Sequence, residues 1–148
     1  MTRRAALCLM LALALVSPAH ADEDAAERAM PAARQAAGLA LTVADPRLER
    51  AAREIAEDNA RRGLLDHAGA EGSTLRGRAL AQGYVFRFVA ENLALGTPDG
   101  ARVVALWLDS PEHRANLLSP AAVHHGIARA RGSDGRDYWA SLFGAPLR

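Results

Sequence analysis

The sequence predicts an α+β fold, with helices packed on an antiparallel sheet. Three observations predict it. Three helix-start signatures, Asp45-Pro46, Thr97-Pro98 and Ser110-Pro111, each pair a capping side chain with a proline. Strand-like runs gather after Pro120, where 123–131 and 137–143 flank Gly132-Ser133-Asp134-Gly135, a linker with the composition of a hairpin turn. No internal repeat or low-complexity linker divides the 148 residues, which fits one domain.

Residues 1–21 read as an export signal. Arg3 and Arg4 form a basic start, Ala5 to Val16 an apolar run, and Ala19-His20-Ala21 a small-residue cleavage motif before acidic Asp22-Glu23-Asp24. The apolar run has 12 residues, short of the ~20 that span a bilayer, so no stable membrane anchor is expected. The expected product is secreted or periplasmic, a single domain over 22–148.

Within it, 24–38 is alanine-rich and helical, with Pro31 expected to start, kink or divide the helix. Asp45-Pro46 opens the next helix, with Leu48, Ala52, Ile55, Ala56 and Asn59 on one stripe and Gly63 as a left-handed stop. Ser73 is expected to cap a short helix over 74–82 that Gly83 ends. Thr97-Pro98 precedes a helix over 101–109, with Val103, Val104, Trp107 and Leu108 facing a core. Ser110-Pro111 opens a further turn or two through Leu118. Tyr84 to Val89 is a β-branched and aromatic run, read as a strand or extended segment.

Composition excludes more than it assigns. There are 34 alanines and 18 arginines, with no lysine. Removing 1–21 leaves 16 arginines against 17 acidic groups, a formal net charge of −1, and no cysteine. A disulfide framework and a cysteine-cluster zinc site are therefore excluded from 22–148. The arginines are scattered among acids, so no nucleic-acid groove is expected. There is no glycine-rich phosphate loop, no G-x-S-x-G elbow and no cysteine nucleophile.

The residues that remain for chemistry sit in four segments: Leu65-Asp66-His67-Ala68, Ala90-Glu91-Asn92-Leu93-Ala94, Ser110-Pro111-Glu112-His113-Arg114 and Val123-His124-His125-Gly126. Imidazole and carboxylate are the usual ligands of zinc-like ions and the usual acid–base groups near neutral pH. No pair has local ligand spacing, so only the fold could unite them. Plainer readings stand beside this one. His67 would cap carbonyls at a helix end, Glu91-Asn92 would serve a turn, and His113 would be a solvated residue in a first helical turn, where the helix dipole lowers its pKa. His124 and His125, adjacent on a strand, point to opposite faces, so at most one joins any one site. Trp107, Trp139 and Phe143 read as core.

The order of these segments resembles the bacterial branch of the CAP superfamily (cysteine-rich secretory proteins, antigen 5 and pathogenesis-related proteins) over roughly 27–144. Asp45-Pro46-Arg47-Leu48 resembles the start of the family's second helix, and Leu65-Asp66-His67 its F-S-H segment. Ala90-Glu91-Asn92-Leu93-Ala94 resembles G-E-N-[IL]-A. The run from Trp107 through Ser110-Pro111-Glu112-His113-Arg114 to Leu118 is similar to the W-x-x-S-P-G-H-R-x-N signature, and Tyr138-Trp139 through Phe143-Gly144 to the closing strand.

The resemblance implies a three-layer α–β–α sandwich with a central antiparallel sheet and an open cleft lined by His67, Glu91 and His113. A second cleft glutamate of eukaryotic members falls on Ser110, and a cleft histidine near Ala122. His124 stands where the bacterial pattern has glutamate, so it is a substitute ligand. The implied function is a binding module for a divalent metal such as zinc, or for a small-molecule, lipid or cell-envelope ligand. The alternative is a metal-dependent hydrolase in the same cleft; the sequence nominates no catalytic base, and binding is preferred. No other cofactor is expected.

Overall fold

A computed structural model describes residues 18–147, with side chains from Ala21 onward. The basic start, the apolar run and Cys8 of the expected export signal lie outside the described residues. Five helices and four strands follow in the order α1 Pro18–Ala36, β1 Val43–Ala44, α2 Pro46–Arg62, α3 Leu75–Ala81, β2 Phe86–Leu95, α4 Gly100–Asp109, α5 Pro111–Leu117, β3 His124–Arg131 and β4 Asp137–Pro146. One 3₁₀ turn, Ala70–Gly72, lies between α2 and α3.

The strands form one sheet in the order β1-β3-β4-β2. The β3–β4 hairpin and the β2–β4 pair are antiparallel, and the two-residue β1 joins β3 in parallel. Glu91 on β2 stands opposite Leu142 on β4, which stands opposite Gly126 on β3.

Side chains alternate across β4 with period two, so the strand serves both faces. Ala140 and Leu142 pack with Leu48, Ala52, Ile55 and Ala56 of α2 and with Ala79 of α3. Trp139 and Phe143 pack with Met30 of α1, Val103, Val104 and Trp107 of α4, and Leu117 of α5. The result is the expected three layers, with α2 and α3 on one side of the sheet and α1, α4 and α5 on the other. Among the described residues no helix is long and apolar enough to cross a membrane.

Most local signals are realised, with small displacements. Asp45 caps α2 by accepting from the Arg47 amide, and Gly63 ends it at φ 62°. α1 runs through Pro31, because Ala26, Met30 and Arg34 form one buried stripe that anchors both halves. The cap of α3 is Thr74 instead of Ser73, and that of α4 is Asp99 instead of Thr97. In each case the side chain nearer the helix reaches its first amides better. β2 continues past Val89 to Leu95, so Glu91 and Asn92 are strand residues and not turn or cap residues.

Polar side chains stitch the layers. Arg34, 1% exposed, donates from Nε to the Ala40 carbonyl, from Nη1 to those of Leu117 and Ser119, and from Nη2 to that of Ala122. Trp107 Nε1 donates to the Leu93 carbonyl on the outer side of β2. Helix α2 lies so close to β3 that a Cβ at Gly126 would come within 2.2 Å of the Glu49 nitrogen and 2.4 Å of the Leu48 carbonyl carbon. Backbone cannot yield as a side chain can. We expect Gly126→Ala to lower the unfolding free energy by about 1–3 kcal/mol, read as a lower denaturant midpoint at an unchanged m-value.

Candidate functional site

The site forms along the outer edge of β2, where the loop after α2, helix α3 and helix α5 meet. Glu91 is at its centre, its side chain only 1% exposed. A carboxylate so buried needs partners for both oxygens. Oε2 accepts from Arg78 Nη2 at 2.7 Å, and Arg78 is itself 1% exposed. Oε1 lies 2.8 Å from His67 Nδ1. An ionised carboxylate only accepts, so Nδ1 carries the proton and Nε2 of neutral His67 keeps its lone pair free. The same guanidinium donates to the backbone carbonyls of Ser73 and His67, which fastens the loop carrying His67 to α3.

Two side chains of α2 serve the carbonyls on either side of His67. Asn59 Nδ2 serves the Asp66 carbonyl and Arg62 Nη2 that of Ala68, leaving the His67 ring to Glu91. From the other side of the strand, two asparagines hold α5. Asn92 Nδ2 donates to the His113 carbonyl at 2.9 Å, and Asn116 Nδ2 donates to the Glu91 carbonyl and to Asn92 Oδ1. His113 is thereby held at the same edge, half-buried and near enough to His67 for their charges to oppose each other.

The two imidazoles are driven apart in pKa. The hydrogen bond His67 donates to Glu91 raises its pKa above the ordinary 6.5, against partial burial. Burial lowers that of His113, with the His67 charge acting in the same direction and Glu112 opposing. The direction for His113 is the expected one, but its cause is burial and a neighbouring imidazole.

The fourth proposed ligand is elsewhere, which corrects the substitution of His124 for a cleft glutamate. β3 is separated from β2 by β4, and the His124 ring is turned toward the α2 end of the sheet. There Nδ1 lies 3.0 Å from the Tyr84 hydroxyl and 3.7 Å from Asp45 Oδ2. Tyr84, its pKa pushed up to about 12 by burial, stays protonated. His125 points to the opposite face, as strand alternation requires, and bonds Glu27 at 2.6 Å and Thr42 at 2.9 Å. Ser110 precedes α5 without a capping bond and Ala122 is buried, so neither adds a cleft ligand.

As a metal centre, the donor set fits in part. Among the described residues no three or more His, Cys, Asp or Glu side chains gather closely enough to hold an ion. Both oxygens of Glu91 already accept hydrogen bonds, from His67 and from Arg78, so it is not presented as a bare ligand. It instead orients His67, as a carboxylate behind a metal-binding histidine does. His67 and His113 remain as the two available donors.

The three-layer α–β–α sandwich around the β1-β3-β4-β2 sheet defines the class of protein. The chain belongs to the cysteine-rich secretory protein (CAP) family, whose sequence model matches residues 28–143. It is 29% identical over 96 residues to the Bacillus subtilis protein YkwD, covering 65% of this chain and 37% of that one, so it spans little more than a third of that relative. An outer surface protein of Borrelia burgdorferi superposes with a TM-score of 0.78 at 25% identity, over 89% of this chain and 97% of that one. An extracellular protein from Bacillus anthracis containing an SCP domain superposes with a TM-score of 0.70 at 23% identity, over 78% of this chain and 37% of that one.

Sequence reasoning missed Arg78. Among 18 arginines and no lysine its identity carries no signal, and only its place beside Ala79 on a short helix marks the buried side. Removing it would strand Glu91 without its counter-charge. Arg78→Met is expected to lower the unfolding free energy by about 3–5 kcal/mol in a chemical denaturation experiment, whereas a loss below about 1 kcal/mol would show that Glu91 does not rely on it.

The histidines give a second expectation. In a proton NMR titration His67 titrates above pH 6.5 and His113 below it. His67 then adds stability below pH 6.5 that is lost as pH rises through its folded pKa. His113 does the reverse, adding stability above 6.5 that is lost as pH falls. His67→Ala raises the His113 pKa only part of the way, because burial is the larger cause.

Proposed function

We propose that this chain is an exported binding module whose cleft takes a divalent cation such as zinc through Nε2 of His67 and the imidazole of His113. Donor atoms of water, or of a small-molecule, lipid or cell-envelope ligand, complete the coordination. The observation that carries this reading is the Arg78–Glu91–His67 chain of charge-assisted hydrogen bonds, 2.7 and 2.8 Å long. It fixes the tautomer of a half-exposed imidazole and leaves the ligating nitrogen facing outward. His113, kept neutral by burial at neutral pH, is ready to ligate on the same edge. Two protein donors are fewer than the three that catalytic zinc sites use, so the ion would be held loosely and exchangeably.

Export rests on residues 1–21, which have the basic, apolar and small-residue segments of a secretory signal. From Asp22 onward the chain makes ion pairs with the domain, Asp22 with Arg129 and Glu23 with Arg53. A chain beginning at Asp22 thus keeps every contact described here. Binding is preferred to hydrolysis because Glu91, the carboxylate at the cleft, is bonded to both His67 and Arg78 and is not placed to act as a general base.

Zinc titration by calorimetry tests the reading. One ion per chain is expected near neutral pH, with the heat of binding lost in His67→Ala combined with His113→Ala, and with affinity falling as pH drops first through the His67 pKa, above 6.5, and then through that of His113, below it. An isotherm unchanged by the double substitution would remove the metal from this cleft.

A further inference from the structure

The exposed apolar surface of the domain is not spread evenly. Among the described residues nine large apolar side chains are exposed, and six of them, Leu41, Val43, Leu80, Val85, Val123 and Leu147, gather around the end of the sheet where β4 finishes. Backbone hydrogen bonds fix that grouping. The Leu147 amide donates to the Val85 carbonyl at 3.0 Å, the Val123 amide to that of Gly144 at 2.9 Å and the Val43 amide to that of Val123 at 3.0 Å. The turn from α3 into β2 adds Leu80, whose carbonyl accepts from the Gly83 amide at 2.9 Å. Four strands about 4.8 Å apart make this end of the sheet about 15 Å wide. Each of the six is 38–65% exposed, so their apolar area stays in water after folding. A grouping of this kind marks an interaction surface.

Arginines border the same end. Arg76 lies four residues before Leu80, on the same side of α3, with its guanidinium 5.1 Å from the centre of the Phe86 ring. Arg87 follows Val85 by two residues at the start of β2. Arg50 of α2 donates from Nε to Gln82 Oε1 at 3.0 Å, beside the C-terminus of α3. All three are exposed, and among the described residues none is paired with a carboxylate. Arg47 stands nearby over the Tyr84 ring and is answered by Asp45 at 2.7 Å. Glu54, one turn along α2 from Arg50, is the carboxylate beside them and has a 3.5 Å contact from Gln82. Positive charge therefore exceeds negative around the apolar side chains.

We infer that this end of the domain docks on the surface of a bilayer with anionic headgroups. Leu80, Val85 and Leu147 enter the boundary of the acyl region, and Arg50, Arg76 and Arg87 meet the phosphates with their aliphatic stems along the apolar side chains. The charge selects this occupant. A second copy of the chain, joined through a two-fold axis, would bring the same arginines face to face. The shape agrees, because the cavities beside α2 and α1 are lined by other residues and the side chains here project outward, as insertion into a fluid phase requires. The association is peripheral, since no helix among the described residues is long and apolar enough to cross a membrane. It is separate from the histidine cleft, whose Glu91 lies five residues along β2 from Phe86, about 17 Å from the lipid.

The experiment is sedimentation with vesicles, using the chain from Asp22, because the apolar run of 5–16 would itself enter lipid. Vesicles of equal parts phosphatidylglycerol and phosphatidylcholine are compared with vesicles of phosphatidylcholine alone. Saturable binding to the first is expected, about tenfold or more weaker to the second, and falling as salt is raised. Arg76→Gln with Arg87→Gln weakens binding about tenfold or more, and Leu80→Ser with Val85→Ser does the same. Arg28→Gln with Arg102→Gln, which changes exposed arginines of α1 and α4, leaves it unchanged. All these positions are exposed, and a cooperative denaturation curve reports that each variant is folded. His67→Ala with His113→Ala also leaves vesicle binding unchanged, so failure of the zinc reading does not touch this one. Absence of binding, equal binding to neutral vesicles or to soluble polyglutamate, full affinity in either variant of the sheet end, equal loss in the α1 and α4 variant, or loss with the cleft histidines would each overturn the proposal. So would a dimer in sedimentation velocity that Leu80→Ser with Val85→Ser dissolves.

Discussion

The Arg78–Glu91 ion pair is the constraint on which the cleft depends. Both side chains are 1% exposed and 2.7 Å apart. A carboxylate on the edge strand of a sheet could stay in water; this one is turned inward, where an unpaired charge would cost several kcal/mol. Its ionised form is stable there only because a guanidinium meets one oxygen and an imidazole the other. Arg78 also holds the carbonyls of Ser73 and His67. One buried charge pair therefore sets the position of α3, the path of the loop before it and the orientation of the histidine that loop presents.

Elsewhere the domain uses arginine where a disulfide-bonded domain uses cystine. No cysteine follows residue 21. Arg34 instead gathers four carbonyls from the end of α1, the end of α5 and the approach to β3. These carbonyls come from segments about 80 residues apart in sequence, so a single side chain closes a loop as long as many cystines do. Unlike a cystine, it acts through hydrogen bonds made only in the folded state, and it is indifferent to the redox poise of the compartment.

Much of this architecture was legible in the residues. Asp45-Pro46 and Gly63 bracket α2 because caps and left-handed stops act locally. The hairpin was legible because 132–135 has turn composition between two strand-like runs. Glu91-Asn92 was harder. Taken alone the pair resembles a turn, and only the length of the sheet partner β4 carries β2 through it. His67, Glu91 and His113 were nominated by motif order, and the fold does bring them to one edge. His124 was misplaced because its position relative to β2 depends on β4 lying between them, and strand order is not written in local pattern. Arg78 was invisible for a related reason. Its partner Glu91 is 13 residues away, at no helical or strand period from it.

The carbonyls along the outside of β2 have a consequence beyond the cleft. An edge strand normally offers a row of free acceptors to any other extended chain, and that is the usual route from folded domain to aggregate. Here the Glu91 carbonyl is occupied by Asn116 and that of Leu93 by Trp107. On the opposite side the two-residue β1 covers only His124 and His125 of β3, and farther along that edge the Arg129 amide is taken by Glu23 of α1. The side chains that seat α4 and α5 therefore also blunt the sheet, so the packing that builds the domain guards it against pairing with a second extended chain.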